Sequence, residues 1–309
     1  MQRPKRVVIG RRLGAVRAST CARAQPIAMK MIYILLPVHN RRQITESFIR
    51  NLAAQTCTDF HLVLIDDGST DGTSEMVLSI LPKATILKGD GSWWWGGSLD
   101  RGVRWLRRAK VPEDALILFI NDDVTVAPDY LERAISVMRE RPRSFVLSRL
   151  RVSGERKPTE TGTVVDLKRL HFSVSGDPKK INCLATQGLF AWWRSVREVG
   201  GFHPKLLPHY LSDYEYTMRA HRKGFVCETS PDLLIDLNRE STGFHEIENR
   251  SFLPFLRKFF SLKSPANPIY FTTFACMVLP ATSVVPVVLR IWRDAMRTMV
   301  RAFLTSVRT

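Results

Sequence analysis

Residues 63–73 read Val63-Leu-Ile-Asp-Asp-Gly-Ser-Thr-Asp-Gly-Thr73. The apolar run before Asp66 has the length of a strand buried on both faces. It stops at two carboxylates and a Gly/Ser turn, and a helical pattern follows. Outward from this point the same order recurs. Strands are expected at Ile32–Pro37, Phe60–Ile65, Ala84–Leu87 and Ala115–Ile120. Helical stretches are expected at Ile44–Gln55, Thr73–Leu81, Ser98–Ala109 and Pro128–Arg139. This alternation implies an α/β fold: a largely parallel, doubly wound sheet with helices on both faces, hence three α/β/α layers. In such sheets ligands bind beyond the carboxyl ends of the strands. Those ends carry His39-Asn40, Asp66-Asp67-Gly68-Ser69, Gly89–Gly97 and Asn121-Asp122-Asp123.

A carboxylate at a strand end can accept from base N–H or ribose hydroxyl groups, which suits Asp67. A calcium loop is the competing reading. Asp67, Ser69, Asp71 and Gly72 have its spacing, but Leu78 stands where the bidentate Glu is required. The second acidic cluster, Leu118-Phe-Ile-Asn-Asp-Asp-Val124, again delivers carboxylates at the end of an apolar run. Adjacent carboxylates repel, and burying them is costly unless a cation compensates. Mg²⁺ or Mn²⁺ bridging phosphate oxygens is a natural partner. A third cluster runs from Gly200 to Tyr216 and holds Ser212-Asp-Tyr-Glu215. Asp213 reads as a general base or as a helix N-cap; Glu215 reads as a base or as a helix-surface acid. Trp93, Trp94 and Trp95 cannot all face one core, so at least one is expected to be exposed. Gly96 and Gly97 would let the chain approach a phosphate or sugar closely.

The chain of 309 residues is 45% apolar, enough for a real core. Its formal net charge is +17. Much of that excess lies in the tails, with eight basic residues and no acid in Met1–Lys30 and Arg290, Arg293, Arg297, Arg301 and Arg308 near the other end. That placement argues against nucleic-acid binding by the folded domain. The five cysteines are scattered without a CxxC pair, which suits reduced thiols in the cytoplasm. Residues 1–29 are expected to be a disordered basic extension, 30–250 the catalytic domain and 251–309 a helical, basic segment. Ile269–Leu289 is 21 uncharged residues, so a membrane span, a helical hairpin on the domain and an interfacial helix all compete. The arginines from 290 to 301 share one helical face suited to anionic headgroups.

The succession Pro37-Val-His-Asn-Arg41, Asp66–Thr73, Asn121-Asp-Asp123 and Ser212-Asp-Tyr-Glu215 resembles the family 2 inverting glycosyltransferases of the GT-A fold, across roughly Met31–His245. Bacterial rhamnosyltransferase-like members, which act on cell-surface polysaccharides, often carry a segment like Trp95-Gly-Gly-Ser-Leu-Asp-Arg-Gly102. The resemblance implies a nucleotide-sugar donor, with dTDP-rhamnose or a UDP-sugar first, a glycan or lipid-linked acceptor, and work at the cytoplasmic face of a membrane. It makes Asp67, Pro37 and His39 the base pocket and puts Asp122 near the ribose. Asp123 falls on Mg²⁺ or Mn²⁺, with His245 as a further ligand. Asp213 becomes the catalytic base, with Ser212 replacing the usual acid, and Asn121 replaces the first acid of the DxD motif. Trp95, Gly96, Gly97 and Asp100 fall on the donor-sugar side and Gly188 on the acceptor side. Two rivals are a nucleotidyltransferase and a non-catalytic, basic, membrane-surface protein. The first needs a Gly-rich turn with a downstream Lys after the first strand, where this chain has Pro37-Val-His-Asn-Arg-Arg42.

Overall fold

A computed structural model describes residues 31–152, 157–237 and 251–308, with side chains through Ser306. Four parallel strands open the chain: β1 (Ile32–Val38), β2 (Phe60–Asp66), β3 (Thr85–Lys88) and β4 (Leu116–Phe119). Helices α1 (Arg42–Ala53), α2 (Thr73–Ile80) and α3 (Trp94–Arg108) connect them. Alternate side chains feed opposite faces of the sheet, as strand geometry demands. From β4, Leu116 and Leu118 join the core under α1, α2 and α4 (Tyr130–Arg139), while Ile117 and Phe119 join the core under α3. α1 buries Thr45, Phe48, Ile49 and Leu52, the spacing of one helical stripe. Each such aliphatic or aromatic side chain contributes roughly 1.5–3 kcal/mol when fully buried.

The second half departs from a purely parallel sheet. Three strands were not anticipated in full: β5 (Val124–Val126), β6 (Ser144–Val152), and β9 (Leu189–Trp192), which is antiparallel to both β4 and β6. The sequence also reads as short strands near Phe225–Glu228 and Leu233–Asp236; the structure joins them in one strand, β10 (Val226–Leu237), with a register shift between Ser230 and Leu234 that absorbs Pro231. The sheet order is β3-β2-β1-β4-β9-β6-β10-β5. A hairpin, β7 (Thr163–Asp166) with β8 (His171–Val174), lies in the Arg151–Lys180 stretch, whose mixed polar, Gly- and Pro-punctuated sequence reads as short hairpins and loops. α3 begins four residues earlier than its pattern suggested, at Trp94. Helices α5 (Trp193–Val199) and α6 (Ser212–Arg222) cover the face beside α3.

The uncharged run Ile269–Leu289 is not a continuous helix. α8 (Pro268–Val278) and α9 (Ala281–Arg308) are separated at Leu279-Pro280, where Leu279 is extended at φ −87° and ψ 151°. The residue before a proline is pushed out of the helical region, which explains the break. α8 packs against α6 and against the β7–β8 hairpin through Phe274, Met218 and Phe172. A short helix, α7 (Phe252–Phe259), packs against the far half of α9. Among the described residues, no helix is long and apolar enough to cross a membrane.

Candidate active site

The strand ends of β1, β2 and β4 meet the β9 approach and the start of α6 in a closed ring of contacts. Asp67 sits just past β2, 6% exposed. Its Oδ1 accepts from the Gly91 N–H at 2.9 Å, and its Oδ2 accepts from Trp93 and Trp94 at 3.0 and 2.9 Å. The carboxylate therefore holds the 89–95 loop by its backbone. Next along the loop, the Trp95 indole donates to Thr186 Oγ1 at 3.1 Å. The neighbour of Thr186, Gln187, reaches Asp123 Oδ1 with its amide at 3.4 Å. Asp123 faces Arg41, and the chain from Arg41 runs back through Asn40 to His39. The His39 ring bonds the Asp67 carbonyl at 2.6 Å and closes the ring. Pro37 lies half-buried at the end of β1, and His39 is exposed at the rim.

Asp213 joins this ring through Thr186, whose backbone N–H it accepts, and also through the Tyr214 N–H at 2.9 Å. Asp213 is not the helix cap. Leu211 occupies that position at φ 68°, and the Ser212 hydroxyl donates instead to the His209 carbonyl. The residue keeps some outer surface, but protein surrounds its carboxylate. Burial raises its pKa to about 6 against the opposing pull of three backbone N–H donors, those of Tyr214, Asp213 itself and Thr186. Glu215, read as a surface acid, is fully buried. It forms an ion pair with Arg219 at 2.9 Å and touches His203 at 3.1 Å, so its role is to hold α6 against the 199–203 turn.

Asp122 and Asp123 are both buried, at 5% and 8% exposure. Burial raises both pKa values, and the Arg41 guanidinium opposes the rise. Asp122 also accepts from Thr45 Oγ1 at 2.8 Å. Beside them Asn121 Oδ1 is buried without a hydrogen-bond partner. Such an orphan is costly unless something binds it. Among the described residues no group of three or more His, Cys, Asp or Glu is placed to hold a metal. Two carboxylates with an amide oxygen nonetheless fit Mg²⁺ or Mn²⁺, which complete their shells with water and substrate phosphates. A cavity of about 200 Å³ opens on this pair, lined by Gln43, Ile44, Ser47, Val124 and Thr125. A larger hollow, about 530 Å³, lies between Asp129 on the α4 side and Asp232 of β10, and contains none of the strand-end carboxylates.

The Gly-rich stretch packs closely on the protein itself. A Cβ on Gly96 would stand 2.7 Å from the Leu207 carbonyl, and the Gly96 N–H donates to Pro208 at 2.8 Å. Gly96 thus lets α3 touch the loop that leads into Asp213, while a Cβ on Gly97 would meet Trp93 and Pro204 side chains. All three tryptophans are half-buried, so none is as open as expected. Trp93 and Trp95 pack on the α3 core, and Trp94, at φ 56°, tilts against His209. Asp100 is not brought to the ring. It is buried one turn into α3, paired with Arg104 at 2.7 Å and pressed on Gly201, because the helix starts earlier than its pattern implied. Gly188, at φ 85°, places its N–H on the Phe119 carbonyl and sits against Ser148. His245 and residues 1–29 lie outside the described residues. Arg41, Thr45 and Thr186 were not singled out from sequence, although Arg41 stands inside the quoted Pro37–Arg41 motif.

The model of the glycosyl transferase family 2 matches residues 33–194, more than half of the chain. The chain belongs to family 2 of the glycosyl transferases. The match runs from β1 to the start of α5, so it includes Asp67, Asp122 and Asp123 and stops short of Asp213. This family 2 transferase is 29% identical over 118 residues to a PGL/p-HBAD biosynthesis glycosyltransferase of Mycobacterium tuberculosis. That alignment covers 37% of the chain and 44% of the relative, so the chain spans under half the length of the curated relatives it matches. Among solved structures, S. aureus TarS 1–349 in complex with UDP-GlcNAc superposes with a TM-score of 0.56 at 17% identity, covering 91% of this chain and 89% of that one. GalNAc-T7 with UDP, GalNAc and Mn²⁺ gives a TM-score of 0.57 at 11% identity, over 82% of this transferase and 52% of that chain. At such identities the likeness establishes a shared GT-A fold.

Proposed function

We propose that the protein transfers a sugar from a nucleotide diphosphate to an acceptor hydroxyl, inverting the anomeric centre. The observation that carries this reading is the pair of consecutive residues Thr186 and Gln187. One bonds Asp213 and the other reaches Asp123, so a single short segment spaces a carboxylate with a pKa of about 6 from the acidic pair. Asp213 is the base: it takes the proton of the acceptor hydroxyl as the oxygen attacks the anomeric carbon from the face opposite the leaving diphosphate. Asp123 and the Asn121 amide oxygen would hold Mg²⁺ or Mn²⁺, with Asp122 near the ribose and His245 as a further ligand. When bound, the cation supplies charge neutralisation for the diphosphate. Pro37, His39 and Asp67 form the base side. Three of about four acceptor positions on the Asp67 carboxylate are used by the loop, which leaves one for a base N–H.

Trp95, Gly96 and Gly97 shape the donor-sugar side through the loop they fix, and Gly188 shapes the acceptor side. The donor favoured is dTDP-rhamnose, followed by UDP-sugars, and the acceptor is a glycan or a lipid-linked sugar of the cell envelope. TarS, the neighbour covered almost end to end, was solved with UDP-GlcNAc, and GalNAc-T7 was solved with Mn²⁺; both support the donor class and the cation. The unpaired Cys57, Cys183, Cys227 and Cys276 suit the cytoplasmic setting expected from sequence.

The test is a screen of nucleotide-sugars for release of nucleoside diphosphate with Mn²⁺ and with chelator, on the full chain and on Asp213→Asn. The expected result is release from dTDP- or UDP-linked donors, abolished by chelation and lost in the variant. Turnover of GDP- or CMP-linked donors alone would overturn the donor assignment. Unchanged turnover in Asp213→Asn would overturn the base.

A further inference from the structure

The long helix α9 is apolar on more of its circumference than the protein covers. Its inner face is buried: Val287 and Ala295 are 3% and 6% exposed, against α8 and α7 respectively. A second row, Val285, Leu289, Trp292, Met296, Val300 and Phe303, recurs every three to four residues, and so lies along one side of the helix. Each of these side chains is between 38% and 67% exposed. Scattered exposed apolar residues are ordinary, but a continuous stripe along a helix marks a docking surface. Leu253 on α7, 70% exposed, lies one residue beyond Phe252, which stacks edge-on against Phe303 and so ties α7 to the far end of the stripe.

The charges beside the stripe say what covers it. Arg290, Arg293, Arg297 and Arg301 recur at the same spacing on the adjoining flank. Asp294 is the one acid between Ala281 and Ser306, and it is shared by Arg293 and Arg297. Arg290 donates to the Arg169 carbonyl, so the flank also leans on the β7–β8 hairpin. A second copy of this helix would bring four more arginines and one more carboxylate, which leaves the cations opposed. A surface rich in anionic headgroups offers both an apolar layer for the stripe and counter-charges for the arginines. We propose that α9 lies in the interface of an anionic bilayer, with its exposed apolar row among the acyl chains and its arginines at the headgroups. The 28 residues extend roughly 42 Å, enough to lie along the surface as an anchor.

The placement has a consequence for the site. The turn joining α7 to α8 puts Lys263 over the Trp94 ring at 5.8 Å, and Trp94 faces His209, just upstream of Asp213. The turn after α7, the helix packed on α9, therefore touches the rim of the cleft, and a lipid-linked acceptor held by the same bilayer is the substrate class that suits this arrangement. The acceptor class rests on the transferase reading; the membrane contact does not.

The experiment is co-sedimentation of the full chain with phosphatidylcholine vesicles, with and without about a third phosphatidylglycerol. No donor sugar is present, so the outcome is independent of catalysis. Binding is expected only to the anionic vesicles, and to weaken as salt rises. Leu289→Glu with Phe303→Glu, both at exposed positions, is expected to lower it at least about tenfold. Arg293→Gln with Arg301→Gln is expected to weaken it severalfold, with an unchanged circular dichroism spectrum. Equal binding to uncharged vesicles, no binding to either, or full binding by the glutamate variant overturns the proposal. So does a dimer in light scattering that the glutamate variant dissolves, because the stripe would then belong to a second copy.

Discussion

The guanidinium of Arg41 faces the carboxylate of Asp122 at 3.1 Å, across a gap of 81 residues in sequence. It also lies 3.6 Å from Asp123. In the ligand-free fold an arginine thus neutralises the pair that we assign to the cation and the ribose. Arginine and metal would compete for the same oxygens. Arg41→Met should leave two buried carboxylates facing each other, at a cost of about 1–3 kcal/mol without metal. Mn²⁺ should then restore more stability to the variant than to the wild type, and calorimetry should show tighter Mn²⁺ binding. A Mn²⁺-induced melting shift no larger than that of the wild type would show that Arg41 and the cation do not share a site.

Asp213 gives a pH dependence with a definite sign. The base must be ionised to take a proton, and burial has raised its pKa to about 6. The logarithm of kcat/KM should therefore climb with unit slope as pH rises toward 6 and level off above it. Asp213→Asn should lower kcat by roughly 10²–10⁴ and remove that limb of the profile. A wild-type profile already flat from pH 4.5 upward would remove Asp213 from the role.

The same burial has the opposite effect on stability. Because the folded pKa lies above the ordinary 3.8, the fold favours the protonated acid. The associated stability is fully present below about pH 4 and is lost as pH rises through about 6. A neutral asparagine can still accept from Thr186 and Tyr214 and escapes that loss. Asp213→Asn should match the wild type at pH 4 and exceed it at pH 8, by up to about 3 kcal/mol for a shift near two units. Thermal melts at the two pH values decide the matter; equal melting points at pH 8 count against a raised pKa.

How much of this was legible in the chain follows from where each signal sits. β1, β2 and β4 announce themselves because both faces are largely buried, so their side chains are apolar over runs such as Leu62–Ile65 and Leu116–Phe119. β6 hides because Arg149 and Arg151 interrupt it. Their charges are met by Glu160, through its 2.8 Å pair with Arg149, and by Asp236, the register partner of Arg151 on β10. No local pattern contains those partners. The acidic clusters were readable because strand ends are fixed places in a doubly wound sheet. Arg41 as their counter-ion and Thr186 as the link to Asp213 were not, since each meets its partner only after folding. Asp100 shows the reverse error. Its nearness to a Gly-rich turn suggested a ligand contact, but Trp94 already starts the helix and carries Asp100 a turn away, to Arg104.

The two glycines after the tryptophans provide a paired test of how the cleft is held. A methyl on Gly96 would stand 2.7 Å from the Leu207 carbonyl, 3.1 Å from the Ser212 Cβ and 3.2 Å from the Pro208 carbonyl. Backbone surrounds it, so the loop must shift, and this loop enters α6 one residue before Asp213. The neighbouring Gly97 would meet only side-chain carbons, Trp93 Cβ at 3.3 Å and Pro204 Cβ at 3.6 Å. Helix propensity favours alanine over glycine by about 1 kcal/mol at either position. Gly96→Ala should nonetheless cost about 1–3 kcal/mol through overpacking and lower kcat by displacing the base. Gly97→Ala should change stability by less than about 1 kcal/mol and lower kcat far less than Gly96→Ala does. Melting temperatures and kcat for the two proteins, measured side by side, test the contact directly. If Gly96→Ala is as stable and active as Gly97→Ala, the α3 contact with Leu207 and Pro208 does not position Asp213.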